Sequence, residues 1–163
     1  MPEIEYEGED NFAPSPETFP ENFTKIGDLG LKNILGRSDV VVNKDLIPVL
    51  KTLDDILPTR NIKALVTSGY SQKHQSKCHT QYGSCIDIVP VSEESGCQIW
   101  QKLAGALASA SMNTYQTQPK IIFETKIQAA VKGCVITNKD ECGLEWKQCP
   151  KTTGPHIHVE FSR

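Results

Sequence analysis

Two stretches of this 163-residue chain decide how it is expected to fold. The first reads VTSGY at 66–70 and continues as CHTQYGSCIDI at 78–88, and the second reads GPHIHVEF at 154–161. Together they hold three of the four histidines, and each contains β-branched and apolar residues typical of a strand. Since residues two apart on a strand point to the same face, we expect the side chains of His156 and His158 to lie side by side.

The candidate metal ligands are His79, Asp87 and His158. Two imidazoles and one carboxylate suit zinc and leave a coordination position open for water, as in catalytic zinc sites. His156 is then expected to face the bound water or a substrate. His74 is expected to be structural or solvent-facing, and it becomes the alternative ligand if the loop does not bring His79 to the site.

These residues resemble the zinc peptidases of the D-alanyl-D-alanine carboxypeptidase and dipeptidase type, a superfamily that includes lysostaphin and the amino-terminal domain of Hedgehog. The family pattern is SGYRS, then SxHxxGxAxD, then HxH or WxH. Its counterparts here are SGY at 68–70, His79 with Gly83 and Asp87, and HIH at 156–158. The resemblance spans residues 62–161. It implies a Hedgehog-like or D-Ala-D-Ala-peptidase-like fold and a zinc-dependent hydrolase, a metallopeptidase acting on peptidoglycan stem peptides or cross-bridges in the cell wall.

The sequence departs from that pattern at three places. Seven residues lie between His79 and Asp87, one more than in the family, which requires a bulge in the loop or a different ligand. The arginine that follows SGY in the family is replaced by Ser71. The acid that related enzymes carry shortly before the last ligand is absent, since 152–155 reads TTGP.

Catalysis needs both an oxyanion donor and a general base. His156 is the candidate donor. The candidate bases are Glu124, Glu145 and His156 itself. If none of them serves, the chain is a non-catalytic zinc-binding domain of the same fold that binds a wall peptide or a protein partner.

The charge distribution excludes some classes of partner. Residues 1–24 hold seven acids and no base, which leaves 17 bases against 13 acids in the rest of the chain. This excess is too small and too scattered to indicate nucleic-acid binding, and it suits an anionic cell wall only weakly. Neither a signal peptide nor a membrane-spanning segment is visible, because the amino terminus is acidic and lacks an apolar core.

All six cysteines fall between positions 78 and 149. That density favours disulfides formed in an oxidising compartment, so an extracytoplasmic or secreted protein is expected. Two pairs have the same spacing and would close short loops, and the remaining two residues would pair with each other. The predicted disulfides are Cys78–Cys85, Cys142–Cys149 and Cys97–Cys134. The alternative is a structural zinc held by the two equally spaced pairs.

The rest of the pattern predicts an α+β fold with a small, mostly antiparallel sheet and helices packed outside it. Residues 1–23 are acidic and proline-containing and are expected to be a flexible arm, followed by one domain over 24–163. Helices are predicted from Asn43 to about Leu57 and from Pro90 or Ser92 to about Met112. Strands are predicted at 62–67, 83–89, 120–125 and 156–161.

Overall fold

The computed structural model describes residues 21–36, 40–70, 84–94, 96–125, 144–148 and 156–161, with the backbone alone for 97, 124, 125 and 144–148. Eight strands and two α-helices occupy these ranges. Their order is β1 (Phe23–Lys25), β2 (Ile34–Gly36), β3 (Val41–Asn43), α1 (Ile47–Ile56), β4 (Lys63–Ser68), β5 (Cys85–Val91), α2 (Cys97–Tyr115), β6 (Lys120–Thr125), β7 (Leu144–Gln148) and β8 (His156–Glu160).

Six strands form one sheet in the order β2-β4-β5-β8-β6-β7, and β1 pairs separately with β3. The three central pairings are antiparallel, whereas β2–β4 and β6–β7 at the two edges are parallel. The α+β class is therefore as expected, but the sheet is mixed, and only its four central strands are antiparallel throughout. The parallel edge pairs arise because long connections, one of them containing α1, return the chain in the same direction.

The predicted cap residue, Asn43, caps a 3-10 turn and not α1 itself, which begins four residues later at Ile47. The Asn43 side chain accepts a hydrogen bond from the Asp45 N–H at 2.8 Å, and a single 3-10 turn over Lys44–Leu46 leads into the helix. Pro48 lies in the first turn, where its missing N–H has no helical partner to lose. The helix ends at Ile56 and continues as a 3-10 turn to Arg60.

The predicted start of the second helix is wrong. Pro90 and Val91 still belong to β5, and the Ser92 hydroxyl accepts a hydrogen bond from the Glu94 N–H at 3.0 Å before α2 begins at Cys97. β8 pairs with β5 only from Cys85 to Ile88, so Pro90 lies beyond that ladder, at a position where a strand tolerates proline.

One face of the sheet packs on the two helices. Paired apolar residues of the central strands supply this face, and the indole of Trp100 on α2 meets Phe123 of β6 edge to face, with 4.8 Å between ring centroids. The fully buried residues of the central strands on this face are Ala64, Val66, Ile86, Ile88, Ile121, Phe123, Ile157 and Val159. Because strand side chains alternate, the residues between them point to the other face of the sheet.

A buried carboxylate connects α1 to the start of β2. Asp54 Oδ1 accepts hydrogen bonds from the backbone N–H groups of Lys32, Asn33 and Ile34 at 3.1, 2.6 and 3.0 Å. The Asn33 side chain donates in return to the Asp54 carbonyl at 3.0 Å. Asp54 therefore fixes the loop that places the parallel edge strand β2 beside β4.

Replacing Asp54 with alanine is expected to lower the free energy of unfolding by about 3 kcal/mol, because it leaves buried N–H groups without an acceptor. Asp55→Ala is the matched control, since Asp55 is the next residue of α1 and its side chain is exposed. Urea denaturation measures both variants. Equal and small losses in the two variants would show that the Asp54 hydrogen bonds contribute little.

Candidate functional site

The sheet face that points away from the helices carries a polar pair at its centre. Asp87 of β5 and His158 of β8 are directly opposite each other in the antiparallel register, although they are 71 residues apart in sequence. Their neighbours in the same two strands face the helices. The alternation that builds the core therefore also brings these two polar side chains together.

The His158 ring lies between two carboxylates. Its Nδ1 is 3.0 Å from Asp87 Oδ1, and its Nε2 is 2.9 Å from Glu160 Oε2. Asp87 and His158 are buried, whereas Glu160 is partly exposed. Because an ionised carboxylate can only accept hydrogen bonds, the tautomer of the neutral ring decides which of the two nitrogens donates. The two contacts fix the orientation of the ring.

His156 lies on the same face, nearer to the surface. Its Nε2 is 3.9 Å from Asp87 Oδ1, and its side chain is 16% exposed, compared with 8% for His158. The alternation of β8 therefore gives one enclosed imidazole beside Asp87 and one that is more open to a molecule entering from solvent.

The spacing of these donor atoms can be compared with the requirements of zinc. Nitrogen and oxygen ligands of a tetrahedral zinc lie at about 2.1 Å from the ion and hence about 3.4 Å from each other. The separations of 3.0 Å for His158 and 3.9 Å for His156 from Asp87 Oδ1 lie on either side of that value. Asp87 and His158 suit zinc better as a pair, since both are buried and opposite each other in register.

Within the described ranges, no group of three or more His, Cys, Asp or Glu side chains is arranged to hold a metal ion. The third expected ligand, His79, and its alternative, His74, both lie outside the described residues. The structure thus brings together Asp87, His156 and His158 of the predicted site residues.

For two of the three candidate bases, Glu124 and Glu145, the structure describes the backbone position. Glu124 of β6 is the register partner of His156. Glu145 of β7 is the partner of Ile122, which is itself the partner of His158. Neighbouring strands are about 4.8 Å apart, so Glu124 is one strand from His156, whereas Glu145 is two strands, or about 10 Å, from His158.

The SGY stretch has structural roles that its motif did not indicate. A side chain at Gly69 would clash with the backbone oxygen of Val41, so only glycine fits where β3 passes this close. The Tyr70 N–H donates to that same oxygen at 2.6 Å, and the Tyr70 ring packs edge to face on Phe23. Gly69 and Tyr70 therefore attach the small β1–β3 sheet to the end of β4.

Ser68 is a site residue that the sequence analysis did not single out. A bulge between Val66 and Ser68 places Ser68 opposite Asp87. Its side chain is buried, and its hydroxyl has no hydrogen-bond partner among the described residues. Its place in the SGY motif was the available signal, and the missing hydrogen bond is visible only in three dimensions.

Cys85 lies at the start of β5, opposite Glu160 of β8, and is buried and disulfide-bonded. Cys78, its expected partner, lies in a part of the chain that is not described. The pairing Cys78–Cys85 therefore stays a prediction.

Comparison of the chain with models of known protein families, with curated proteins and with solved structures finds no match. Across the part of the chain that the structure describes, neither helix is long and apolar enough to cross a membrane.

Alanine substitution of two buried serines tests whether the Ser68 hydroxyl makes a hydrogen bond. Ser111 Oγ donates to the Thr117 carbonyl at 2.8 Å, whereas Ser68 Oγ has no partner in the described ranges. We expect Ser111→Ala to lower the free energy of unfolding by about 1 kcal/mol and Ser68→Ala to leave it unchanged or raise it slightly, because only the first loses a bond. Thermal or urea unfolding measures the difference. An equal loss in both variants would mean that Ser68 is bonded.

Proposed function

We propose that the chain is a zinc-dependent peptidase that hydrolyses peptide bonds of peptidoglycan stem peptides or cross-bridges, as D,D-carboxypeptidases and endopeptidases do. The observation that carries the proposal is the placement of Asp87 and His158 side by side, with the more exposed His156 on the same face. Among the described residues, the α+β arrangement with this site on the sheet face opposite the helices also supports the finer proposal of a Hedgehog-like or D-Ala-D-Ala-peptidase-like fold.

The donor set fits zinc. His79, Asp87 and His158 would hold the ion, with one carboxylate and two imidazoles leaving a position open. Bound there, zinc supplies an activated water and polarises the scissile carbonyl. The hydrogen bond between Asp87 and His158 brings the two donors together before any ion binds, and this reduces the ordering that binding requires.

In this proposal, His156 acts on the substrate. Its ring lies close to the candidate ligands without being the register partner of Asp87, and its N–H can donate to the carbonyl oxygen as negative charge develops there. Removing one such donor usually lowers kcat by about a hundredfold or more.

Peptide hydrolysis also requires a group that takes a proton from the water and passes it to the leaving amine. Glu124 is the better placed of the two candidate acids, because its backbone is directly opposite His156. Glu145 is one strand further from the site.

The substrate class comes from the sequence resemblance. The missing arginine after SGY, replaced by Ser71, means that substrate positioning would differ from that of the resembled enzymes. The cysteine content and the excess of bases after residue 24 are compatible with a protein that works outside the cytoplasm on an anionic wall.

The alternative is a non-catalytic zinc-binding domain that binds a wall peptide or a protein partner. Two observations favour it. The residues directly before His156 include no acid, and His158 is held by two carboxylates, an arrangement that suits a rigid binding site as well as a catalytic one.

Zinc content and peptide hydrolysis together distinguish these functions. Purified protein is expected to carry one zinc, which Asp87→Asn and His158→Gln remove because each loses a ligand, while the surface variant Asp55→Asn keeps it. His156→Ala is expected to retain zinc and to lower the hydrolysis of a stem peptide ending in D-Ala-D-Ala by at least about a hundredfold. Elemental analysis and amine release are the measurements.

Several outcomes would contradict this account. If the protein purified without chelators contains no metal, the proposal that it binds zinc is wrong. Full zinc occupancy with no amine release from any wall peptide would select the binding domain. Loss of zinc in His156→Ala would show that His156, not His158, is the ligand.

A further inference from the structure

We propose that Glu160 is a positioning residue, which holds His158 so that the Nδ1 atom, and not Nε2, faces the metal site beside Asp87. This inference rests on the proposed zinc-dependent function and assigns a role to a residue that the motifs do not contain. The contact that carries it is the 2.9 Å distance from His158 Nε2 to Glu160 Oε2.

The strand geometry makes this contact persistent. His158 and Glu160 are two residues apart on β8, so both side chains lie on the same face. β8 is an internal strand, paired with β5 on one side and with β6 on the other, and its backbone has little freedom to move. The ring is thus held at Nδ1 by Asp87 and at Nε2 by Glu160.

The hydrogen-bonding roles of the two nitrogens follow from what each must do. An imidazole that binds a metal through Nδ1 keeps its remaining proton on Nε2. Glu160 accepts that proton in a hydrogen bond, which favours the required tautomer and makes Nδ1 a stronger electron donor. Without Glu160, the hydrogen bond to Asp87 would favour the tautomer that carries its proton on Nδ1, where a metal has to bind.

A second role for Glu160 has to be separated from this one. Lys120 of β6 is its register partner, so Glu160 is also placed for a cross-strand charge pair that would only stabilise the sheet. Lys120→Gln removes that pair while leaving the His158 contact in place, and it is the matched control. Glu160 is itself partly exposed, with a side chain 38% accessible, so its replacement leaves no cavity in the core.

The test combines zinc affinity with the tautomer of His158. Competition with a chromophoric chelator is expected to give a zinc Kd about 10–100-fold higher for Glu160→Ala than for the wild type, the usual cost of losing a hydrogen-bond partner of a metal ligand. Lys120→Gln is expected to match the wild type. Long-range proton–nitrogen NMR of the metal-free protein is expected to show the Nε2 proton in the wild type and a shift to the Nδ1–H tautomer in Glu160→Ala.

The two readouts separate the failure of this proposal from that of the zinc function. Unchanged zinc affinity in Glu160→Ala, or an equal loss in Lys120→Gln, would overturn the positioning role. An unchanged His158 tautomer in Glu160→Ala would overturn it even if affinity fell. If wild-type protein binds no zinc, the proposed function fails and so does the metal-directed role of Glu160, while the tautomer still reports whether the contact with His158 exists.

Discussion

The pairing of β5 with β8 is the constraint on which the rest of the site depends. It joins residues 71 apart in sequence and sets Asp87 directly beside His158. A shift of β8 by one residue in this register would turn His158 away from Asp87 into the helix-facing core and would expose Ile157 and Val159. The apolar alternation that stabilises the sheet therefore also fixes which groups meet at the site.

The contact between Asp87 and His158 matters for stability because both side chains are buried. Taking an ionised carboxylate out of water costs several kcal/mol unless a partner compensates it, and His158 is the partner within hydrogen-bond distance. Glu160 then serves the other nitrogen of the same ring. The arrangement is a short chain of carboxylate, imidazole and carboxylate, in which the inner end is enclosed and the outer end meets solvent.

The sequence predicted those elements whose local signals were strong. The strand β6 was predicted with the bounds found, and α1 was located by its apolar face, although Asn43 caps the 3-10 turn before it. The strands β1, β2 and β3 were missed because three residues are too few to show a period. The strand β7 was missed because its sequence lies in a segment rich in cysteine, glycine and lysine, which is typical of a loop. The start of α2 was misplaced because proline and serine also occur at strand ends.

The site was predictable in part. The HIH spacing correctly indicated that His156 and His158 share a face, and Asp87 was placed with them by its motif. The role of Gly69 could not be predicted, since it depends on the close approach of Val41, which is distant in sequence. The Ser68 hydroxyl, which has no hydrogen-bond partner among the described residues, and the Glu160 contact were likewise not predictable, because each depends on register and no local pattern encodes it.

The most direct measurement of the central claim is X-ray absorption at the zinc edge of the purified protein. If Asp87 and His158 hold the ion with a second imidazole, the first shell contains only nitrogen and oxygen at about 2.0–2.2 Å, with the multiple-scattering pattern of two imidazoles. A shell of sulfur at about 2.3 Å would show instead that cysteines hold the zinc, and it would contradict the account of this sheet face as a metal site.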